Sequence, residues 1–162
     1  STRVRQQVIP KSPLFRDMRP WQIRKFVLSS TLLEFAPGET VFRHGEESNA
    51  LYLVMRGVVE IRVPPRSAGA KAPIVDQFGS GQVFGDVAVL ADEPRKTDAV
   101  ALTETTLMVL TRESIANVTH YHPFIASKLF LNLARDVSCR WISFIVRVRS
   151  PRGDLVEEEK EP

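Results

Sequence analysis

The chain has 162 residues, of which 43% are hydrophobic and 25% are charged, a composition typical of one ordinary globular domain with a sizeable core. Its 22 basic and 19 acidic residues give a net charge of only +3; they are not gathered into one basic tract, so we expect no nucleic-acid partner. The single cysteine excludes an internal disulfide, and because no segment is apolar enough for a signal peptide or a membrane span, we expect a cytoplasmic domain without a membrane segment.

Residues 1–30 are predicted to form an N-terminal helical segment. Pro10 and Pro13 interrupt the helical pattern, so a short leading helix should stop near Ile9 and be followed by a turn. A second helix should begin at Pro20, because proline suits the first turn of a helix. Its apolar residues are Trp21, Ile23, Phe26 and Val27.

Over residues 31–111 the apolar residues alternate in short runs. The runs recur at roughly eight- to twelve-residue spacing with turn residues between them, which is typical of an all-β sandwich or barrel. The segment between Pro64 and Pro73 is rich in Pro, Ala, Gly and Ser, and is therefore predicted to be a loop. The turns are marked by Pro37, Gly38, Gly45, Gly57, Gly69, Gly79 and Gly81.

The helical period returns over residues 112–150, which we assign to C-terminal helices. One helix is predicted over 113–122, ended by Pro123, and a much longer one over 124–148. The candidate inward residues of the long helix are Phe124, Leu129, Phe130, Leu133, Val137 and Ile145. The last residues, 151–162, are predicted to be a disordered acidic tail.

The stretch from Phe84 to Ala101 has the residue order of a phosphate cradle. Gly85 lets the backbone approach an anion closely. A short helix beginning near Asp86 would present unpaired N–H groups, and Arg95 supplies a fork of donors. A singly charged cyclic phosphate would suit such a cradle.

This stretch resembles the phosphate-binding cassette of the cyclic-nucleotide-binding domain family, which is found in the catabolite activator protein, kinase regulatory subunits and gated channels. The family pattern is Phe-Gly-Glu, a small and an aliphatic residue, a spacer, then Pro-Arg, a small residue and Ala. Asp86 replaces the glutamate, Lys96 replaces the small residue and Thr97 replaces the alanine. The matched positions are Phe84, Gly85, Asp86, Ala88, Val89, Pro94 and Arg95.

The resemblance implies a fold that is mainly β with flanking helices. It would be an eight-stranded antiparallel β-roll, a jelly-roll-like double-stranded β-helix, with N-terminal helices and the C-terminal B and C helices of the family. Arg140 and Trp141 lie about where relatives close a residue over the base, so they are the candidate base lid. The residues that the resemblance assigns to the phosphate and ribose are Phe84, Gly85, Asp86, Val87, Ala88, Arg95, Lys96 and Thr97.

Two functions without catalysis stay open. In the first, the domain binds a cyclic nucleotide, with cyclic AMP slightly favoured over cyclic GMP and no other cofactor. It then relays binding through its last helix to an effector domain of the same full-length protein or to a second subunit of a homodimer. In the second, the departures at Asp86, Lys96 and Thr97 mark a degenerate domain that binds no cyclic nucleotide and serves protein–protein interaction.

The third function, a small roll-shaped enzyme, is the one we expect least. Metal-dependent enzymes of this shape use a His-x-His pair on a strand. Here His120 and His122 fall at a predicted helix end, where residues i and i+2 do not face one another. Cys139 is predicted to be a small core residue of the long helix with no base beside it. We therefore expect no metal site and no enzymatic activity.

Overall fold

The computed structural model describes residues 9–65 and 72–149. Two single-turn 3-10 helices, Ile9–Lys11 and Pro13–Phe15, precede the first α-helix. The α-helices are α1 (Pro20–Leu28), α2 (Asp86–Ala91), α3 (Arg112–Tyr121) and α4 (Pro123–Arg149). The strands are β1 (Thr31–Phe35), β2 (Thr40–Phe42), β3 (Ala50–Arg56), β4 (Val59–Arg62), β5 (Ile74–Phe78), β6 (Val83–Phe84), β7 (Asp98–Ala101) and β8 (Thr105–Thr111).

The eight strands form two four-stranded sheets. One sheet has the order β1-β8-β3-β6 and the other has the order β2-β7-β4-β5, and every paired strand is antiparallel. The prediction of an eight-stranded antiparallel β-roll with helices at both ends is therefore confirmed.

Strand β3 lies between the two hydrophobic cores, which explains why its sequence, ALYLVMR, is almost continuously apolar. Successive side chains of a strand point to opposite faces. Leu51, Leu53 and Met55 therefore face the helices, whereas Tyr52 and Val54 face the second sheet. A strand covered on both faces needs apolar residues at both.

The core between the sheets is largely aromatic. The Phe84 ring is stacked on Tyr52, with 5.1 Å between centroids. It also lies 5.7 Å from Phe78 and 6.1 Å from Phe42. Such aromatic pairs add to the stabilisation that burial gives, and they fix the end of β6, where the predicted cassette begins.

The helical core joins the N-terminal segment to the first half of α4. Asn132 Nδ2 donates to Leu14 O at 3.0 Å and to Arg16 O at 2.9 Å, and Lys128 Nζ donates to Asp17 O at 2.7 Å. These bonds satisfy backbone carbonyls that have no helical partner. The first half of α4 is thereby held to the rest of the domain.

The predicted inward face of the long helix is partly wrong. Leu129 and Leu133 are buried as expected, but Phe124 is 86% exposed, and Phe130 and Ile145 are also exposed. Val137 is half-buried. The buried face begins at a different position and comprises Ile125, Ala126, Leu129, Asn132 and Leu133. Because α4 carries apolar residues on more than one face, periodicity alone did not identify the face that packs.

One further core assignment is wrong. Cys139 is exposed, because it lies on the second half of α4, where few side chains face the domain. Trp21 is more than half exposed, since the buried residues of α1 are Gln22, Ile23 and Phe26. The start of α1 at Pro20 is as predicted. Helix α3 begins one residue earlier than predicted, because Thr111 Oγ1 caps it by accepting from Ser114 N at 3.1 Å.

Some expectations fall outside the described residues. They are the leading helix before Ile9, the central part of the predicted loop, and the acidic tail over 151–162. Strand β4 ends at Arg62, before that loop, and strand β5 begins at Ile74, after it. None of the helices described is long and apolar enough to cross a membrane.

Candidate functional site

A cavity of about 420 Å³ opens between the second sheet, α2 and the last turns of α4. All of the residues that we assigned to phosphate and ribose line it. The wall also includes apolar side chains of the sheet and three residues of α4. These further residues are Phe42, Ile61, Val75, Phe78, Arg140, Phe144 and Arg147.

Gly85 forms the sharp corner between β6 and α2. Its φ is +74°, in the left-handed region that favours glycine. A Cβ atom at this position would lie 2.9 Å from Arg95 Nη1 and 3.1 Å from Tyr52 Cδ2. Both the backbone conformation and the space therefore require glycine here, and the carbonyl of Gly85 is brought against the arginine.

Arg95 lines the cavity and is only 3% exposed. Its Nη1 donates to Gly85 O at 2.7 Å and its Nη2 donates to Ala50 O. Its Cζ lies 4.2 Å from the centroid of the Phe42 ring, close enough for a cation–π interaction. Nε is buried and has no hydrogen-bond partner.

The carboxylates of Glu46 and Asp86 act on the charge of Arg95 from a distance, without forming an ion pair with it. Burial lowers the pKa of its guanidinium, whereas nearby Tyr52 raises it, and the group stays protonated at neutral pH. Burial likewise raises the pKa of Tyr52, against the effect of the Arg95 cation. Within residues 9–65 and 72–149, Arg95 forms no ion pair.

Asp86, the first residue of α2, is the buried carboxylate of the cavity and is 1% exposed. Its Oδ2 accepts from Arg140 Nη2 in a short ion pair, and its Oδ1 is buried without a hydrogen-bond partner. The Arg140 guanidinium also lies 5.4 Å from the Phe78 ring centroid and 3.2 Å from Asp136 Oδ2. Burial raises the pKa of Asp136, whereas Arg140 lowers it.

Lys96 and Thr97 lie at the mouth of the cavity. Lys96 Nζ pairs with Glu93 Oε2 at 3.0 Å, and both side chains are exposed, so this pair contributes little to stability. Thr97 is half-buried. The loop that carries them is held by two backbone bonds, from Arg95 N to Glu46 O and from Gly45 N to Arg95 O, each 2.8 Å.

The structure separates the two residues of the candidate base lid. Arg140 lines the cavity, but Trp141 does not. Trp141 is 60% exposed and is stacked on Phe144 with 5.6 Å between ring centroids.

Sequence reasoning missed several residues of the site. Phe42 and Tyr52 contact Arg95 from other strands, and only the strand pairing, which places Tyr52 opposite Phe84, brings them there. Phe144 and Arg147 follow Arg140 by four and seven residues. Helical spacing from the candidate lid could therefore have identified them.

Comparisons with known proteins establish the family and the fold of this chain. The model of the cyclic nucleotide-binding domain family matches residues 32–122. The HTH-type transcriptional regulator Cmr of Mycobacterium tuberculosis is 28% identical over 140 residues, which cover 86% of this chain and 54% of that protein. The cyclic AMP receptor protein of Thermus thermophilus is 29% identical over 124 residues, which cover 76% of this chain and 56% of that protein. The chain thus spans about half the length of these relatives.

A solved structure supports the fold independently. The crystal structure of a cyclic nucleotide-binding domain from Methylobacillus flagellatus superposes with a TM-score of 0.79 at 18% identity, covering 95% of this chain and 86% of that one. The residues matched by the family model include the strands and the cassette that build the cavity. The chain therefore belongs to the cyclic nucleotide-binding domain family.

Proposed function

We propose that this domain is a regulatory module that binds a cyclic nucleotide in the cavity between the second sheet, α2 and α4. The observation that carries the proposal is the buried Arg95, whose guanidinium has an unpaired Nε and no ion-pair partner among the described residues. A buried cation without a counter-ion is costly. An anion delivered to the cavity floor would compensate it.

The chemistry of a cyclic nucleotide fits the other walls. Its cyclic phosphate carries one negative charge, which suits one buried arginine. Its ribose hydroxyl is a donor, which suits the buried carboxylate of Asp86. Its purine is flat and apolar on both faces, which suits the aromatic and aliphatic wall that includes Phe78 and Ile61.

We propose cyclic AMP as the preferred ligand. The family selects guanine with a hydroxyl in the position after the arginine, and this chain has Lys96 there and its threonine one position later. The similarity to a protein named cyclic AMP receptor protein supports the same preference.

The relay is proposed to run through α4. Its first half is held by Asn132 and Lys128, whereas residues 141–147 are all exposed. An exposed apolar face on a soluble helix is typical of a contact surface. This surface would contact an effector domain of the full-length protein or a second copy of the chain. We propose no enzymatic role for the domain itself.

The second candidate function is protein–protein interaction without nucleotide binding. It is favoured because Asp86 and Arg95 already have partners within the protein. Asp86 pairs with Arg140, and two nitrogens of Arg95 donate to backbone carbonyls. A ligand must displace Arg140 from Asp86 and share the Arg95 guanidinium with the two carbonyls.

Isothermal titration calorimetry separates the two functions. We expect cyclic AMP to bind with one site per chain and more tightly than cyclic GMP. 5′-AMP is the matched control because it retains the base and sugar but carries a second negative charge. We expect it to bind at least about tenfold more weakly. Absence of binding heat for both cyclic nucleotides at millimolar concentration would favour the second function.

A further inference from the structure

The ion pair between Arg140 and Asp86 joins two parts of the domain that are far apart in sequence. Asp86 begins α2 in the cassette, and Arg140 lies on α4, 54 positions later. The Asp86 side chain is only 1% exposed to solvent, and the Arg140 side chain is 26% exposed. An ion pair so shielded from water is stronger than a surface pair and costs more to break.

Arg140 is also where the second half of α4 meets the cavity. Residues 141–147 are exposed, although Phe144 and Arg147 touch the cavity rim. The bonds that hold the helix to the N-terminal segment lie at Lys128 and Asn132, about two turns or more before Arg140. Arg140 is therefore well placed to hold the second half of the helix in position.

The carboxylate that faces Arg140 is the group to which our proposed function assigns the ribose hydroxyl. Oδ2 is taken by Arg140, and Oδ1 is also buried from solvent. A ligand hydroxyl therefore reaches either oxygen only after the surrounding side chains move. Arg140 is the group that a displacement of α4 would remove.

We propose that Arg140 is an internal competitor for the ligand. In the absence of nucleotide its ion pair with Asp86 holds the second half of α4 against the cavity. The ribose hydroxyl takes over the carboxylate when a nucleotide binds, and the helix is released. This inference rests on the proposed function and adds its regulation. A competitor gives way to the ligand, whereas a base lid closes on it, so the two roles predict opposite effects of removing Arg140.

The affinity arm uses Arg140→Gln, which removes the charge and shortens the side chain, so that Asp86 loses its ion pair. Calorimetry should show cyclic AMP binding about tenfold more tightly than to the wild type, a typical size for a coupling between two sites. 2′-Deoxy cyclic AMP has no hydroxyl to compete for Asp86, so its affinity should change less than about twofold. Arg147→Gln is the matched control, because Arg147 lines the same cavity and has no ion pair within the described part of the chain.

The second arm needs no ligand. Hydrogen exchange of the segment 137–147 in nucleotide-free protein should speed up by about tenfold in Arg140→Gln, which also loses the contacts with Asp136 and Phe78, and by a smaller factor in Asp86→Asn. The double variant should exchange no faster than Arg140→Gln, because Arg140→Gln already removes the ion pair that Asp86→Asn removes. Arg147→Gln should exchange as the wild type does.

The outcomes separate the inference from the function on which it rests. Unchanged or weaker binding of cyclic AMP to Arg140→Gln, with a wild type that does bind, overturns the competitor role and leaves the proposed function intact. Unchanged exchange in Arg140→Gln overturns it as well. If neither the wild type nor Arg140→Gln binds any cyclic nucleotide, the proposed function fails and the competition fails with it. Binding that appears only in Arg140→Gln supports both.

Discussion

At the scale of single residues, the domain is defined by a buried cation and a buried carboxylate that face one cavity. Arg95 is fixed by two backbone carbonyls and the Phe42 ring, so its guanidinium is already oriented and a ligand need not order a mobile side chain. Such preorganisation lowers the entropic cost of binding.

The first prediction concerns Arg95→Gln. Loss of the charge should weaken cyclic AMP binding by about 2 to 4 kcal/mol, the scale of charge-assisted hydrogen bonds to a phosphate. Lys96→Ala is the matched control in the next position. Its ammonium belongs to an exposed pair, so we expect an effect below about 1 kcal/mol. Calorimetry measures both, and circular dichroism checks folding. Wild-type affinity in a folded Arg95→Gln protein would refute the site.

The second prediction concerns Gly85. An alanine there must adopt φ near +74° and place Cβ 2.9 Å from Arg95 Nη1, so Gly85→Ala should cost both backbone strain and packing. Gly38→Ala is the control, because its φ is +84° with nothing within 4 Å of the added Cβ. Urea unfolding should give a loss of about 1 to 2 kcal/mol for Gly38→Ala and at least about 1 kcal/mol more for Gly85→Ala. Equal losses of unfolding free energy in the two variants would mean that the close approach of residue 85 to Arg95 does not affect stability.

The sequence predicted one half of the site better than the other. The residues from Phe84 to Thr97 are close in the chain. The chemistry of Gly85, Asp86 and Arg95 is recognisable from their order, and the family resemblance supplied the rest. The partner of Asp86 did not follow, because Arg140 is 54 positions away. The contacts of Arg95 with Phe42 and Tyr52 depend on strand pairing, and no local pattern reports it.

At the scale of elements, the two halves of α4 differ in how they are attached to the rest of the domain. The first half donates side-chain hydrogen bonds to carbonyls of the N-terminal segment, and the second half ends in exposed residues. A helix anchored at one end can move its other end with little disturbance of the core. This arrangement suits an element that reports on the cavity.

The third prediction concerns the anchored half. Asn132→Leu keeps the number and branching of the side-chain heavy atoms but leaves the carbonyls of Leu14 and Arg16 without their donor. We expect a loss of about 1 to 3 kcal/mol in the free energy of unfolding, the cost of unsatisfied buried polar groups. The control is Ser138→Ala on the exposed side of the same helix, which should change stability by less than about 0.5 kcal/mol. Urea unfolding that shows no loss for Asn132→Leu would mean that the segment is held by apolar packing alone.

Strands were easier to predict than helix faces. Alternation and turn residues placed the strands, because a strand has only two faces and each turn needs glycine or proline at particular positions. Helix α4 has apolar residues around most of its circumference, so Phe124, Phe130 and Ile145 were expected inside although all three are exposed. Only the packing of the N-terminal segment determines which face is covered.

At the scale of the whole molecule, the second half of α4 gives the described surface a cluster of exposed apolar side chains. Trp141, Ile142, Phe144, Ile145 and Val146 are exposed there in close succession. Phe130, Val137, Trp141 and Phe144 also follow one another at the seven- and three-to-four-residue spacing of a helix that pairs with another helix.

The fourth prediction is that the chain self-associates through this surface. Trp141→Ser should raise the dissociation constant of the dimer at least about tenfold, because an exposed tryptophan at a helix interface is a typical hot spot. Trp21→Ser is the matched control, since Trp21 is comparably exposed, at 54% against 60% for Trp141, but lies on α1. Sedimentation velocity over a concentration series measures both. A wild type that stays monomeric at high micromolar concentration would contradict the prediction.

The central claim is that the cavity over Arg95 binds a cyclic nucleotide, and a crystal structure of the protein grown with cyclic AMP tests it most directly. We predict the cyclic phosphate within hydrogen-bonding distance of the Arg95 guanidinium, about 2.7 to 2.9 Å, and the ribose hydroxyl against the Asp86 carboxylate. A nucleotide bound elsewhere, or Arg95 still donating only to Gly85 O and Ala50 O at saturating cyclic AMP, would contradict it.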